Sequence, residues 1–180
     1  MRHITLISTG GTIEKTYDER TGSLENRHSI VHHMLAQLRL DDVAVNTVQL
    51  FQKDSLELTD HDRRKITDMV RLLTDADEGG KTADNADRID GVVILHGTDT
   101  LCETGELLRA ELPDLPVPVV LTGAMRPFEM QRSDALQNLN EAVFATGVVG
   151  AGVWCVAHGR ALPFPGVRKD RERSTFVRAG

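Results

Sequence analysis

Residues able to do hydrolytic chemistry stand in a short glycine-rich stretch near the start of the chain. Thr9-Gly10-Gly11-Thr12 follows an apolar, β-branched run that ends at Ser8. Two adjacent glycines expose the main chain and let it take torsions closed to other residues, so that a ligand can approach it closely. The threonines place hydroxyls on either side of this bare backbone. An ordinary tight turn has the same composition, so the rest of the chain must separate the two interpretations.

Other apolar runs end in residues of the same kind. These ends are Lys53-Asp54-Ser55, His96-Gly97-Thr98-Asp99-Thr100, Thr122-Gly123-Ala124-Met125-Arg126-Pro127 and His158-Gly159-Arg160. A hydroxyl becomes a good nucleophile when a base lies near it and N–H groups can stabilise an oxyanion. N–H groups beside Gly10-Gly11 could serve the oxyanion, and Asp99 with a lysine of the tail could move the proton. Hydroxyls and glycines are also good helix caps, which explains one such end better than four.

Five apolar runs predict the strands that position these residues. They are Ile4–Ser8, Val43–Phe51, Gly91–Leu95, Val117–Thr122 and Gly152–Ala157. Stripes with helical period lie between them: Ile30, Met34, Leu35 and Leu38; Ile66, Met69, Val70 and Leu73; Leu107 and Leu108; Leu136, Leu139 and Val143. The second of these helices is predicted to start at Thr59, where Asp62 completes a capping box.

Strands and helices alternate along the whole chain, which predicts an α/β fold. We expect an open, mostly parallel sheet flanked by helices in three layers, Rossmann- or flavodoxin-like, in a single domain spanning residues 1–180. Binding and catalytic residues of such sheets lie at the carboxyl ends of the strands. The acidic residues 76–89 are predicted to form a solvated loop, and the basic segment after Ala157 is predicted to be irregular.

Composition argues against several classes of function. The 180 residues are 40% hydrophobic and 27% charged, which is typical of one globular domain and not of a disordered chain. A formal net charge of −6 argues against nucleic acid as the main partner. Apolar runs are too short for a membrane span, and the first residues lack a signal-peptide layout. Cys102 and Cys155 match no zinc or redox spacing, so we expect a cytoplasmic protein with two buried, inert thiols.

Three of the stretches together resemble the bacterial-type L-asparaginases. Thr9-Gly10-Gly11-Thr12-Ile13, His96-Gly97-Thr98-Asp99-Thr100 and Gly123-Ala124-Met125-Arg126-Pro127 occur in that order and spacing, and the resemblance runs from residue 4 to about 176. It implies an amidohydrolase that converts L-asparagine to L-aspartate and ammonia through a threonine nucleophile and an acyl-enzyme, without a cofactor or metal. L-Glutamine stays open as a substrate, because one methylene changes binding by only about 1–3 kcal/mol.

The resemblance also implies roles for single residues. Thr12 is similar to the nucleophilic threonine of the family. Thr98 is similar to a second threonine that works with Asp99 and a lysine, for which Lys169 is the candidate. Ser55 is similar to the serine that holds the substrate's α-carboxylate, and Asp99 to the residue that holds its α-ammonium.

Two further residues are expected at the substrate. Gly11 is expected to line the binding site beside Thr12. Tyr17 lies in the loop from Glu14 to Leu24, where the family uses a tyrosine on a mobile segment. We expect this loop to act as a lid with Gly22 as its hinge, and an ordinary surface loop is the alternative.

Longer members of the family carry a second, smaller domain that contributes to a neighbouring subunit's site, and this sequence is predicted to lack it. We therefore expect a homo-oligomer in which a neighbour covers the open edge of the site through the tail Arg160–Arg178. The alternative is a tail that folds back onto its own sheet. Two other functions stay open. One is a weakly catalytic amino-acid-binding module or amidotransferase subunit with the same pocket, and the other is an enzyme for a related amide or lactone.

Several remaining motifs favour structural interpretations. His28, His32 and His33 have helical spacing suited to a metal, but no third ligand is apparent and surface histidines are common. Gly79-Gly80-Lys81-Thr82 is similar to the end of a phosphate loop, yet Asp75 stands where that motif needs glycine.

Two residues at strand ends are interpreted in the same way. His96 is expected to be a buried histidine satisfied by backbone groups and not an acid–base group. Arg126-Pro127 is expected to shape a loop, with the arginine paired to a carboxylate.

Overall fold

The five predicted strands lie in one sheet, and further short strands accompany them. A computed structural model describes residues 1–79 and 89–178. Along the chain the strands are β1 (Arg2–Gly10), β2 (Thr16–Asp18), β3 (Ser23–Glu25), β4 (Val43–Lys53), β5 (Gly91–Leu95), β6 (Pro118–Thr122), β7 (Gly152–Ala157), β8 (Arg160–Pro163), β9 (Val167–Asp170) and β10 (Thr175–Arg178). The helices are α1 (Val31–Leu35), α2 (Asp60–Gly79), α3 (Leu101–Glu111) and α4 (Ala135–Ala145).

The order of the strands places the chain reversal between β1 and β5. The main sheet runs β4-β1-β5-β6-β7-β8, with every neighbouring pair parallel except the last. The chain leaves β1 toward one edge to form β4 and then returns across β1 to build the other half. In open α/β sheets the ligand crevice lies at such a switch point, outside the carboxyl ends of the strands. The strand order therefore predicts that the ligand site is formed by the residues that follow β1 and β5.

Helices cover both faces of the sheet, as the continuous apolar strands predict. Successive residues of β1 point to opposite faces. Ile7 packs in the cluster that includes Ile66 of α2, whereas Leu6 packs in the cluster with Met34 of α1 and Leu139 of α4. These side chains are fully buried. The three-layer α/β prediction is confirmed.

Helix α2 begins as the capping box predicts but continues further than expected. The Asp62 carboxylate accepts hydrogen bonds from the Thr59 N–H at 3.0 Å and the Thr59 hydroxyl at 2.8 Å. Residues 76–79, predicted as the start of a loop, belong to the helix. Ala76 and Glu78 in this segment are strong helix formers, so the helix continues here without an apolar stripe. The rest of that predicted loop through residue 88, with most of Gly79-Gly80-Lys81-Thr82, lies outside the described residues.

The basic tail was predicted to be irregular, and this is wrong. Strand β8 pairs antiparallel with β7, and β9 pairs with β10 as a hairpin. Phe164, Val167 and Phe176 are buried in the cluster that includes residues of α2 and α3. Val167 is buried while its neighbour Arg168 is exposed, because successive residues of a strand point to opposite faces. The tail therefore folds back onto its own chain.

The segment after β1 is also more regular than predicted. Strands β2 and β3 pair antiparallel, so the expected lid is a short hairpin with Gly22 at positive φ in its turn. Helix α1 is shorter than its stripe, because the N–H groups of Gln37 and Leu38 bond carbonyls three residues earlier and tighten the last turn. His28 precedes the helix, which corrects its predicted helical spacing to His32. No helix in the described part of the chain is long and apolar enough to cross a membrane.

Candidate active site

The two glycines after β1 are required by close packing against neighbouring strand ends. Gly10 and Gly11 have φ of 92° and 81°, which disfavours any residue with a side chain. A Cβ on Gly10 would lie 2.6 Å from the Lys53 nitrogen, and one on Gly11 would lie 2.4 Å from the Gly97 nitrogen. The stretch is therefore a tight turn that brings the end of β1 against the ends of β4 and β5. Thr12 follows directly and begins a 3₁₀ turn, half-buried.

Ser55 is held at the same edge of the sheet. It begins the 3₁₀ turn Ser55–Glu57 and is 2% exposed. A Cβ on Gly97 would lie 2.4 Å from the Ser55 hydroxyl oxygen, so the serine packs directly against the residue that precedes Thr98. The Thr100 hydroxyl donates to the Ser55 carbonyl at 2.9 Å and ties the two loops together.

Lys169 meets Thr98 and Asp99 in a compact group. Its Nζ lies 2.8 Å from Thr98 Oγ1 and 3.0 Å from Asp99 Oδ1. Thr98 is 4% exposed, and the lysine side chain is 16% exposed. Lys169 reaches this position from β9, where it pairs with Phe176 of β10. Hydroxyl, ammonium and carboxylate therefore stand together at the carboxyl end of β5, an arrangement suited to proton transfer at an oxygen.

The structure adds a second cation at Asp99 that the sequence did not assign. Arg171 lies 3.1 Å from Asp99 Oδ1 through its NH1 atom, and its side chain is 72% exposed. The sequence shows this arginine as one of several in the tail, so its type alone could not single it out. Arg171 lies in the turn of the β9–β10 hairpin, two residues after Lys169, and the hairpin brings both side chains to Asp99.

A buried polar network supports the turn after β1 from behind. Glu14 is fully buried and accepts hydrogen bonds from the hydroxyls of Ser8 and, at 2.6 Å, of Ser29. Gln52 donates to the Ser8 oxygen at 3.0 Å. Sequence reasoning missed this carboxyl group, although a glutamate two residues after Thr12 and next to the apolar Ile13 was a usable signal. A fully buried carboxyl must be hydrogen-bonded, so the network fixes the backbone beneath Thr12.

Asn26 orients the peptide that joins Gly11 to Thr12. Its Nδ2 donates to the Gly11 carbonyl at 2.8 Å. In a trans peptide the N–H and C=O point in opposite directions, so the Thr12 N–H is directed away from Asn26. The Gly11 N–H is already used by the Lys53 carbonyl at 2.9 Å. Hydrogen bonds to the Gly11 carbonyl and from the Gly11 N–H therefore fix the direction of the Thr12 N–H.

An ion pair joins the first two strand ends. Lys15 Nζ lies 2.6 Å from Asp54 Oδ2. The hydrogen bond from Lys15 lowers the pKa of the Asp54 carboxyl, despite partial burial, and the Leu56 N–H adds to this effect. Both side chains are partly exposed, so the pair contributes to the placement of the two turns more than to stability.

Tyr17 lies on the hairpin but does not cover Thr12 in this structure. It pairs with Leu24 across β2 and β3, and it is 58% exposed. A Cβ on Gly22 would lie 4.0 Å from the tyrosine hydroxyl, which is therefore directed over the turn of its own hairpin. The Tyr17 N–H donates to Glu129 Oε2 at 2.9 Å and attaches the hairpin to the loop after β6. Its role as a lid residue stays a prediction.

His96 has the surroundings of a structural histidine. It is fully buried, with Nδ1 at 2.8 Å from the Gly97 carbonyl and Nε2 at 2.8 Å from the Thr104 hydroxyl. A carbonyl only accepts, so Nδ1 carries the proton and Nε2 accepts from Thr104. Burial lowers the pKa of His96 to about 4, because the charged ring would lose its hydration.

We expect His96 to make the protein less stable in acid. Between its ordinary pKa of 6.5 and about 4, the unfolded chain binds a proton that the folded chain does not. As the pH is lowered through this window, the free energy of unfolding should therefore decrease, by about 3 kcal/mol at most. Urea unfolding at about pH 7 and about pH 4 measures the fall, and His96→Gln should reduce it. An equal fall in both proteins would contradict the assignment.

A second chain of contacts anchors the hairpin that carries Lys169. His158 Nδ1 lies 2.9 Å from Thr175 Oγ1, and its Nε2 lies 2.7 Å from Asp134 Oδ2. The Met125 and Arg126 N–H groups also donate to Asp134. Burial alone would raise the pKa of the Asp134 carboxyl, but the Met125 N–H and His158 outweigh it and lower the pKa. The Asp134 carboxylate thus shapes the loop with Arg126-Pro127 by accepting from backbone N–H groups of that loop.

His32, His33 and the two cysteines have structural surroundings. His32 contacts Thr47 at 3.2 Å and His33 contacts Gln37 at 3.4 Å. Within residues 1–79 and 89–178, no three histidine, cysteine or acidic side chains form a group that could hold a metal. Burial raises the pKa of the Cys102 thiol to about 11 and that of Cys155 well above its ordinary value. Cys155 is buried as predicted, whereas Cys102 is half-buried.

The sheet is mostly parallel and carries threonine-bearing loops at its switch point, one of which meets a lysine and an aspartate. These features define an α/β protein with a candidate active site at that edge. Residues 3–177 match the family described as Asparaginase, N-terminal. The chain therefore belongs to the asparaginase family.

Relatives within this family differ in what they are named for. The chain is 32% identical over 158 residues to a subunit of the glutamyl-tRNA(Gln) amidotransferase of Methanobrevibacter smithii, covering 88% of this chain and 34% of that protein. It is 31% identical over 173 residues to an L-asparaginase of Bacillus licheniformis, covering 93% and 50%. The thermostable L-asparaginase from Thermococcus kodakarensis superposes with a TM-score of 0.79 at 27% identity, covering 93% and 47%. The chain thus spans a third to a half of these relatives.

Proposed function

We propose that this chain is an amidohydrolase that converts L-asparagine to L-aspartate and ammonia. The observation that carries the proposal is Lys169 Nζ at 2.8 Å from Thr98 Oγ1 and 3.0 Å from Asp99 Oδ1, at the switch point beside the turn that presents Thr12. The buried Thr9 hydroxyl, in contrast, donates to the Leu95 carbonyl, as a structural hydroxyl does. The contact between the Thr98 hydroxyl and the Lys169 ammonium group is instead suited to proton transfer.

In the proposed mechanism two threonines share one reaction. Thr12 Oγ1 attacks the amide carbon while its proton passes to a neighbouring base. The oxyanion that forms on the amide oxygen is stabilised by backbone N–H groups, for which the Thr12 N–H aimed by Asn26 is the candidate. The base then returns this proton to the amide nitrogen, which leaves as ammonia, and an ester between Thr12 and the substrate remains. Thr98 and Lys169 then form a proton relay for the water that hydrolyses this ester.

Substrate binding in this proposal uses groups at the same sheet edge. Ser55, buried against Gly97, donates to the α-carboxylate, and Asp99 accepts from the α-ammonium. Gly11 lines the binding site beside Thr12 with its backbone. The chemistry needs no cofactor or metal, since hydroxyl, ammonium and N–H groups supply the nucleophile, proton transfer and oxyanion stabilisation.

A second candidate function has a specific observation in its favour. The relatives at 32% identity include amidotransferase subunits, which are named for work on glutamyl-tRNA(Gln) within a larger assembly. The same pocket in this chain would then release ammonia for a partner, or bind an amino acid with little turnover alone. We also propose that the protein is a cytoplasmic homo-oligomer, although its tail folds back on its own sheet.

The function is tested by the release of ammonia from L-asparagine and L-glutamine by the purified chain, with and without a chelator. We expect release from L-asparagine that the chelator does not change. Binding of L-aspartate without any release of ammonia would favour the binding module or amidotransferase subunit. Release that stops with the chelator would contradict the absence of a metal.

A substitution at Tyr17 tests whether the β2–β3 hairpin acts as a lid. If its hydroxyl takes part in catalysis after the hairpin closes, Tyr17→Phe should lower kcat for L-asparagine by about 10²-fold or more and leave the fold intact. Leu24→Ala, which alters the hairpin without removing a hydroxyl, is the matched control for packing. Wild-type kinetics of Tyr17→Phe would show that the hydroxyl has no such role.

A further inference from the structure

Asp99 carries more positive charge around it than one carboxylate neutralises. Lys169 at 3.0 Å and Arg171 at 3.1 Å contact the same oxygen, Oδ1. Two cations beside one carboxylate leave an excess of one positive charge on this group of three side chains. Of the nearby carboxyl groups, Asp54 is paired with Lys15, Glu14 is buried behind the turn, and Asp170 accepts from the Arg173 N–H.

This arrangement bears on what Asp99 can bind. A substrate ammonium attracted to Asp99 meets an arginine already in contact with the carboxylate. The ammonium must share the carboxylate or displace the guanidinium, and it is repelled by the excess charge in either case. A substrate carboxylate, in contrast, gains from the same excess. The guanidinium is 72% exposed, so it can move at small cost and its effect is moderate.

We propose that Arg171 is a specificity-determining residue that weakens selection for a free α-ammonium. The site then accepts amides that carry a carboxylate but no α-ammonium, such as the monoamide of a simple dicarboxylic acid, along with L-asparagine. This inference rests on the proposed function, because it takes Asp99 and Thr98 to face one bound substrate.

The hairpin offers a matched control. Arg168 is an exposed arginine on β9, and it precedes Lys169 by one residue. Neighbouring residues of a strand point to opposite faces, so Arg168 faces away from the crevice that Lys169 enters. Arg168→Gln removes the same charge from the same hairpin without removing the contact to Asp99.

The test compares two acids that differ by one group. L-Aspartate and succinate share both carboxylates, and only L-aspartate has an ammonium. Calorimetric titration gives the dissociation constant of each for the wild-type chain and for Arg171→Gln, Arg171→Lys and Arg168→Gln. We expect Arg171→Gln to shift the ratio of the two constants in favour of L-aspartate by about three- to fivefold. Arg171→Lys and Arg168→Gln should leave the ratio within about twofold of the wild type, because the charge at Asp99 is kept.

Added salt should reduce the shift, since exposed charges are screened. An unchanged ratio in Arg171→Gln, an equal shift in Arg168→Gln, or a chain that binds neither acid would overturn the inference. The ammonia assay with L-asparagine runs in parallel and separates the two proposals. Turnover with an unchanged ratio overturns the inference alone, whereas a shifted ratio without turnover overturns the hydrolytic function alone.

Discussion

Thr12→Ala and Thr98→Ala should each reduce kcat for L-asparagine by about 10⁴-fold. The double variant should have a kcat only slightly lower than that of either single variant. In the proposed mechanism Thr12 forms the ester, while Thr98 and Lys169 handle the proton of the same reaction. Once either hydroxyl is missing, the other has no productive step to assist, so the free-energy losses do not add. Single-turnover and steady-state rates of the three variants measure this.

A third threonine serves as the control for this pair. Thr9 Oγ1 donates to the Leu95 carbonyl at 2.8 Å and lies in the same turn, buried. Thr9→Val should lower the free energy of unfolding by about 1 kcal/mol and change kcat only slightly. Fully additive losses for Thr12 and Thr98, or a loss in Thr9→Val as large as either, would mean that one of the two assigned threonines has a structural role only.

Replacing Lys169 by methionine should reduce kcat by about 10²–10⁴-fold with a smaller change in KM. Methionine keeps an unbranched apolar stem but removes the ammonium that contacts Thr98 and Asp99. The loss should fall on the chemical step because the lysine contacts the hydroxyl that takes part in it. Steady-state kinetics with L-asparagine across a range of pH separate kcat from KM.

The matched variant is Arg168→Met, one residue earlier on the same strand. Arg168 is exposed, and its change should leave kcat within a few-fold of the wild type. A loss confined to KM in Lys169→Met would instead place Lys169 in substrate binding. Equal losses in the two variants would indicate damage to the hairpin and remove Lys169 from the proposed chemistry.

Much of the fold could be predicted from the sequence because its signals are local. Buried parallel strands require continuous apolar runs, and the capping box at Thr59 and Asp62 marks a helix start within four residues. The positional rule for α/β sheets then directs attention to Thr12, Ser55 and Thr98. The structure brings the loops that carry these residues together through Gly11 and Gly97, whose missing side chains allow the contact.

The contacts that sequence patterns missed depend on register and distance along the chain. Arg171 lies 72 positions after Asp99 in the sequence, and only the contact in the folded chain shows that it, and not Arg168, faces the crevice. The tail was predicted to be irregular because its short strands are rich in charged residues, although Phe176 is buried. His158 joins Asp134 and Thr175 in a way that neither motif nor periodicity indicates.

Hydrolysis through an ester on Thr12 is tested most directly by partitioning with hydroxylamine. If L-asparagine and the β-methyl ester of L-aspartate form one common acyl-enzyme, hydroxylamine and water must divide it identically. We predict the same ratio of aspartyl hydroxamate to L-aspartate from both substrates, and neither product from Thr12→Ala. Ratios that differ between the two substrates, or ammonia release without any hydroxamate, would contradict a covalent threonine intermediate.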